Sequence, residues 1–125
     1  CFLNMQTSTK TIMAIRNLYW VEDENHDEDW FVLAKDKIDA KTRYANNEGM
    51  DPDDLDSLTA ELLVSKVEAD KREDYPTRKQ LSKWGIECLN DPEEVMQKFL
   101  FKGNVYQRGQ LSMGADLIME AVNYE

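Results

Sequence analysis

Residues 15–22, IRNLYWVE, and 30–35, WFVLAK, are rich in β-branched and aromatic side chains and read as strands. Both carry apolar residues on both faces. On the first, Leu18 and Trp20 point one way and Tyr19 and Val21 the other. A strand that is apolar on both faces must be buried on both. This constrains the fold more than any other feature. It calls for a helix on one side and a second cover, another helix or a partner chain, on the other. The two strands are expected to pair as a hairpin, with Trp20 opposite Phe31 and Val21 opposite Trp30.

The hairpin encloses VEDENHDEDW at 21–30, which holds six carboxylates and the chain's only histidine. A tight turn in that register would set Glu22 against Asp29, Asp23 against Glu28 and Glu24 against Asp27. Each directly opposed like-charge pair costs roughly 0.2–1 kcal/mol. The expectation is therefore an open, solvated loop, with the strands stopping near Val21 and Trp30. The alternative is a cation or a basic partner that neutralises the cluster.

No metal template fits. Asp23, Asn25, Asp27 and Asp29 have a period-2 spacing, but a calcium loop needs Gly at its sixth position and an acid at its twelfth. Those positions hold Glu28 and Ala34. The acids Asp51, Asp53, Asp54 and Asp56 fail likewise, with Leu55 at a ligand position and Leu62 at the twelfth. One His, with Cys1 and Cys88 far apart and no CxxC, does not make a typical zinc site. No G-x-S-x-G, Walker loop or G-x-G-x-x-G is present. The sequence thus offers no catalytic residue, cofactor or metal site. His26 is read as a surface turn residue and the chain as a non-enzyme.

Further along, residues 36–48 read as a helix, with Asp36 as N-cap and Gly49 as its stop. Residues 60–67 are a third strand, and DKRED at 70–74 a charged loop. Thr77 and Gln80 match a capping box that opens a second helix, closed by Gly85. IECL at 86–89 is a short strand at best. EVMQKFLF and NVYQ flank Lys102-Gly103 as a second hairpin. Leu111, Met113, Leu117, Ile118, Ala121 and Val122 recur at helical spacing near the end. The order β-β-α-β-α-β-β-α gives an α+β fold. The expectation is a single domain over 13–125 with one mostly antiparallel, twisted sheet and helices mainly on one face. Residues 1–12 read as a flexible or cloning-derived tail.

The 125 residues include 42% apolar ones, enough for one core. Two cysteines fit a reduced, cytoplasmic protein better than a disulfide framework. No run approaches the roughly 18 apolar residues of a membrane span, and the N-terminus lacks a signal-peptide pattern. A net charge of −10 argues against direct binding to nucleic acid and for solubility and basic partners. The basic residues between Lys66 and Lys83 interleave with acids and read as a solvated face.

The stretch LYWVEDENHDEDWFVLAKD at 18–36 resembles the opening of small uncharacterised bacterial accessory-gene proteins, with a Tyr-Trp-Val-Glu start and an Asp-Trp-Phe strand. The resemblance covers under a fifth of the chain. It implies no activity and no functional residues.

The functional expectation is a binding module, self-associating as a homodimer because of its two-sided apolar strands. One alternative is an acidic decoy that imitates nucleic-acid charge to occupy a basic protein. Another is an aromatic, acid-rimmed pocket for a small organic cation. The candidate binding surface is Tyr19, Trp20, Glu22, Asp23, Glu24, His26, Asp27, Glu28, Asp29, Trp30 and Tyr106.

Overall fold

The computed structural model describes residues 13–26 and 28–109. The N-terminal tail, Asp27 and the expected helix around 111–122 lie outside the described residues. The elements are β1 (Met13–Glu22), β2 (Trp30–Ala34), α1 (Lys37–Glu48), a 3-10 turn (Pro52–Ser57), β3 (Thr59–Asp70), α2 (Arg78–Lys83), β4 (Glu87–Cys88), β5 (Met96–Phe101) and β6 (Asn104–Gly109). The fold is a small α+β domain, as expected.

The strands form two antiparallel sheets, ordered β2-β1-β3 and β4-β5-β6. This corrects the expectation of a single sheet. The hairpin register is the expected one: Trp20 pairs with Phe31 and Val21 with Trp30. Opposed residues share a face, so Leu18, Trp20, Phe31 and Leu33 line one side of the first sheet. The second sheet covers that side. Trp20 meets Phe101 and Tyr106 with ring centroids 4.7 Å apart, and Phe31 meets Phe101 at 5.0 Å. Helix α1 lies across β1, β2 and β3 and buries Ala40, Tyr44 and Ala45, which leaves Val21, Val32 and Ala34 sealed on the other side. The two-sided apolar strands therefore find both covers within their own chain, and need no partner chain for burial.

Local chemistry fixes the ends. The Asp36 side chain accepts from the Asp39 N–H at 2.7 Å, and Gly49 takes the left-handed conformation that closes α1 (φ 71°). The Thr77–Gln80 capping box is formed in both directions, at 3.0 and 2.8 Å. The Ile86 N–H bonds back to the Leu81 carbonyl after Gly85 (φ 90°). Lys102 and Gly103, both at positive φ, turn β5 into β6.

Two further ties hold the first sheet. The Lys66 N–H bonds the Asn17 Oδ1 at 3.1 Å where the β1–β3 register shifts, and Lys66 sits at φ 58°, a β-bulge. The outer edge of β2 is capped by the 70–74 loop, since the Leu33 N–H donates to the Asp74 carbonyl at 2.8 Å. Arg16, 4% exposed, secures that loop from beneath. Its guanidinium donates to the carbonyls of Leu33 (2.6 Å), Asp70 (3.1 Å) and Glu73. Arg43 ties α1 to the same loop through Asp74 (2.5 Å) and to its own first turn through Asp39 (3.0 Å).

Candidate functional site

Asp29, at the end of the acidic stretch between β1 and β2, turns inward rather than pairing across the hairpin. The β1–β2 ladder stops at Val21–Trp30, so Glu22 and Asp29 never face each other as ladder partners. Asp29 turns back instead. Its Oδ1 accepts the Asp23 N–H at 3.1 Å, and its Oδ2 lies 2.8 Å from His26 Nδ1. The Asp29 side chain is 2% exposed, while that of His26 is 63% exposed. The His26 backbone adopts φ 55°, a left-handed turn that His tolerates better than most residues. The hydrogen bond to Asp29, followed by the charges of Asp29, Glu22 and Asp23, holds the imidazole above its ordinary pKa. The ladder ends at Val21 and Trp30, as expected, but Asp29, the last carboxylate of the run, is buried and partnered rather than solvated.

Glu22 is held from the other side. The Trp20 indole N–H donates to Glu22 Oε2 at 3.0 Å. The donor atoms of Glu22, His26 and Asp29 all lie within 4.8 Å of one another. The sequence templates for calcium and zinc did not anticipate this grouping, because it arises from the turn geometry and not from a ligand spacing.

The remaining expected residues divide into core and surface. Trp20, Trp30 and Tyr19 are buried, at 1%, 0% and 5% exposure, and serve packing rather than a binding face. Tyr106 is half-buried against Trp20. Asp23 is half-buried and accepts from the Tyr44 hydroxyl at 3.4 Å. Glu24 and Glu28 are exposed. Asp27 lies outside the described residues.

One residue absent from the sequence expectation organises the neighbourhood. Arg108 on β6 is 7% exposed. Its guanidinium carbon lies 5.0 Å from the ring centroids of both Trp30 and Tyr75. It reaches Glu48 Oε2 at 3.3 Å and Glu28 Oε2 at 3.9 Å. The Tyr75 hydroxyl donates to the same Glu48 carboxylate. Burial, and then the charge of Asp23 for Tyr44 and the hydrogen bond to Glu48 for Tyr75, holds both phenols well above their ordinary pKa. Two rings, of Trp30 and Tyr75, and two carboxylates, of Glu28 and Glu48, thus surround the Arg108 guanidinium. Sequence alternation offered one signal: Arg108 sits two residues beyond Tyr106 and so shares its inward face. A cleft of about 260 Å3 separates β6 from the turn, lined by His26, Glu28, Asp29, Tyr106 and Arg108 among others.

The sheet register also gathers acids that are far apart in sequence. Glu22 pairs with Thr59, and Val21 with Ala60. The 3-10 turn that precedes β3 therefore stands at the same end of the sheet as the 22–29 turn. Asp51, Asp53, Asp54 and Asp56 are all exposed there. Among the described residues, His26, Lys102 and Arg108 are the bases that form ion pairs with this end, through Asp29, Glu61, Glu28 and Glu48. No ion pair among the described residues reaches Glu24, Asp51, Asp53, Asp54 or Asp56. No helix among the described residues is long and apolar enough to cross a membrane. Comparison with known proteins finds no matching family model, no matching curated protein and no matching solved structure.

Proposed function

We propose that this protein is a non-enzymatic binding module that offers the acidic end of its first sheet to a basic protein surface, as a decoy for nucleic-acid charge. The register that sets Glu22 against Thr59 carries the reading, because it brings two acidic segments that are separate in sequence, 22–29 and 51–56, to one end of the sheet. Charges focused on one surface steer a partner of opposite sign, and a chain at −10 supplies the field. The exposed carboxylates of Glu24, Asp53, Asp54 and Asp56 keep that field because no base among the described residues pairs with them. A labelled oligo-arginine peptide tests the reading by fluorescence anisotropy. Binding that weakens about tenfold or more between low and physiological salt is expected. Absence of binding, or binding indifferent to salt, overturns it.

Self-association is a second reading, supported by the outer face of the second sheet. Leu100 and Val105 oppose each other there, with Met96 on the same face, and all three are exposed (40%, 54% and 44%). Sedimentation at micromolar concentration is then expected to give twice the 14.6 kDa chain mass, and Val105→Lys to return it to a single chain. A monomer mass for the unaltered protein rules this reading out.

A further inference from the structure

We propose that Glu22, His26 and Asp29 form a site for one divalent transition-metal ion of the zinc class, a site that goes beyond the partner-binding reading. The three side chains offer one imidazole nitrogen and two carboxylate oxygens, all within 4.8 Å of one another. Zinc bonds to nitrogen and oxygen at about 2.0–2.2 Å, which places ligand atoms about 3.4 Å apart around a tetrahedral ion. The His26–Asp29 pair, at 2.8 Å, is already close enough. Glu22 lies within 4.8 Å of both, so it has to close by little more than ~1 Å to reach that spacing.

Groups outside the trio hold the two carboxylates. Asp29 is anchored by the Asp23 N–H, and Glu22 by the Trp20 indole, whose ring is 1% exposed and fixed in the core. Such outer partners orient ligands in metal sites generally. Each anchor engages one carboxylate oxygen; the second Asp29 oxygen faces His26 Nδ1, and an ion bound between them would take the place of that hydrogen bond. Burial of the Asp29 carboxylate raises the worth of a divalent charge beside it. The exposed imidazole supplies an entry path, and the cleft beside His26 and Asp29 has room for the water that completes the coordination. Arg108 lines the same cleft, but Glu48 and Glu28 already balance its charge. An imidazole ligand favours zinc, cobalt or nickel over calcium and magnesium, which take oxygen ligands.

His26 is the only histidine in the sequence, so its imidazole reports on the site directly. The test titrates zinc chloride into the full, untagged chain and follows the imidazole resonances by NMR, with calorimetry for stoichiometry. The proposal expects the His26 signals to move and saturate at one equivalent. It expects His26→Gln and Glu22→Gln each to weaken binding at least tenfold. Glu22→Gln keeps the Trp20 contact, so its effect separates ligation from folding, and circular dichroism confirms that each variant is folded. Imidazole signals that ignore zinc overturn the proposal, as does zinc bound equally well by the folded His26→Gln chain. Magnesium in place of zinc is expected to leave the imidazole unmoved; an equal response to magnesium also overturns it.

Discussion

Arg16 and Arg108 show how this small domain buries charge. Neither relies on a matched, fully buried carboxylate. Arg16 is satisfied by three main-chain carbonyls from β2, β3 and the following loop. Burial, and then the nearby Arg43, lowers its pKa from the ordinary arginine value, yet an arginine so placed stays protonated. Replacing it with methionine keeps the aliphatic stem but removes the guanidinium's hydrogen bonds to those carbonyls, and a hydrogen bond from a charged donor is worth about 1.5–3 kcal/mol. Arg16→Met is therefore expected to lose about 3 kcal/mol in urea unfolding, with Arg16→Lys recovering only part. A loss below about 0.5 kcal/mol contradicts the assigned role. Tyr44 and Tyr75 give a prediction in pH. Their folded pKa values are raised above the unfolded value of about 10. Above that pH the unfolded chain releases protons that the folded chain retains, so stability falls as pH rises. Ultraviolet titration is expected to show Tyr44 and Tyr75 ionising only together with unfolding. Tyr44→Phe and Tyr75→Phe together should move alkaline unfolding to higher pH; no movement contradicts the assignment.

At the scale of elements, the parts legible in the sequence were those written in local chemistry. The caps of α1 and α2 and the Lys102-Gly103 turn depend on residues within a few positions of one another, and the β1–β2 register on two strands joined by one short connection. Gly49 illustrates the point. A Cβ there meets no atom within 4 Å, but φ 71° is unfavourable for any residue with a side chain. Gly49→Ala is thus expected to cost about 1 kcal/mol through backbone strain alone, with Gly49→Asn costing less. Thermal unfolding of both variants checks the order, and equal stability of Gly49→Ala and the parent contradicts it. The features that escaped the sequence were non-local. Alternation along 94–101 and 104–107 marks strands, but does not say whether they extend the first sheet edge to edge or lie on it face to face. The rings of Phe101 and Tyr106 settle that by packing on Trp20. Arg108 is surrounded by groups from distant elements, Glu48 and Tyr75 among them, and Asp29 is held by a turn whose shape no motif encodes, so residue type alone pointed to the surface for the acid and said nothing of the arginine.

At the scale of the whole molecule, the charge is unevenly placed as well as large. The strand register sets the 22–29 and 51–56 acids at one end, whereas β1 begins opposite Asp70, close to Lys71 and Arg72, at the other. The central claim is that position, and not net charge, makes the acidic end a binding surface. Two variants of equal charge separate the two. One neutralises Glu24, Asp53, Asp54 and Asp56 by amide substitution. The other does the same to Glu68, Glu87, Glu93 and Glu94, which are exposed on other elements. Affinity for the oligo-arginine peptide is measured for both at one fixed, moderate salt concentration. The first variant is expected to lose tenfold or more while the second stays within about twofold of the parent; equal losses in both would contradict the claim.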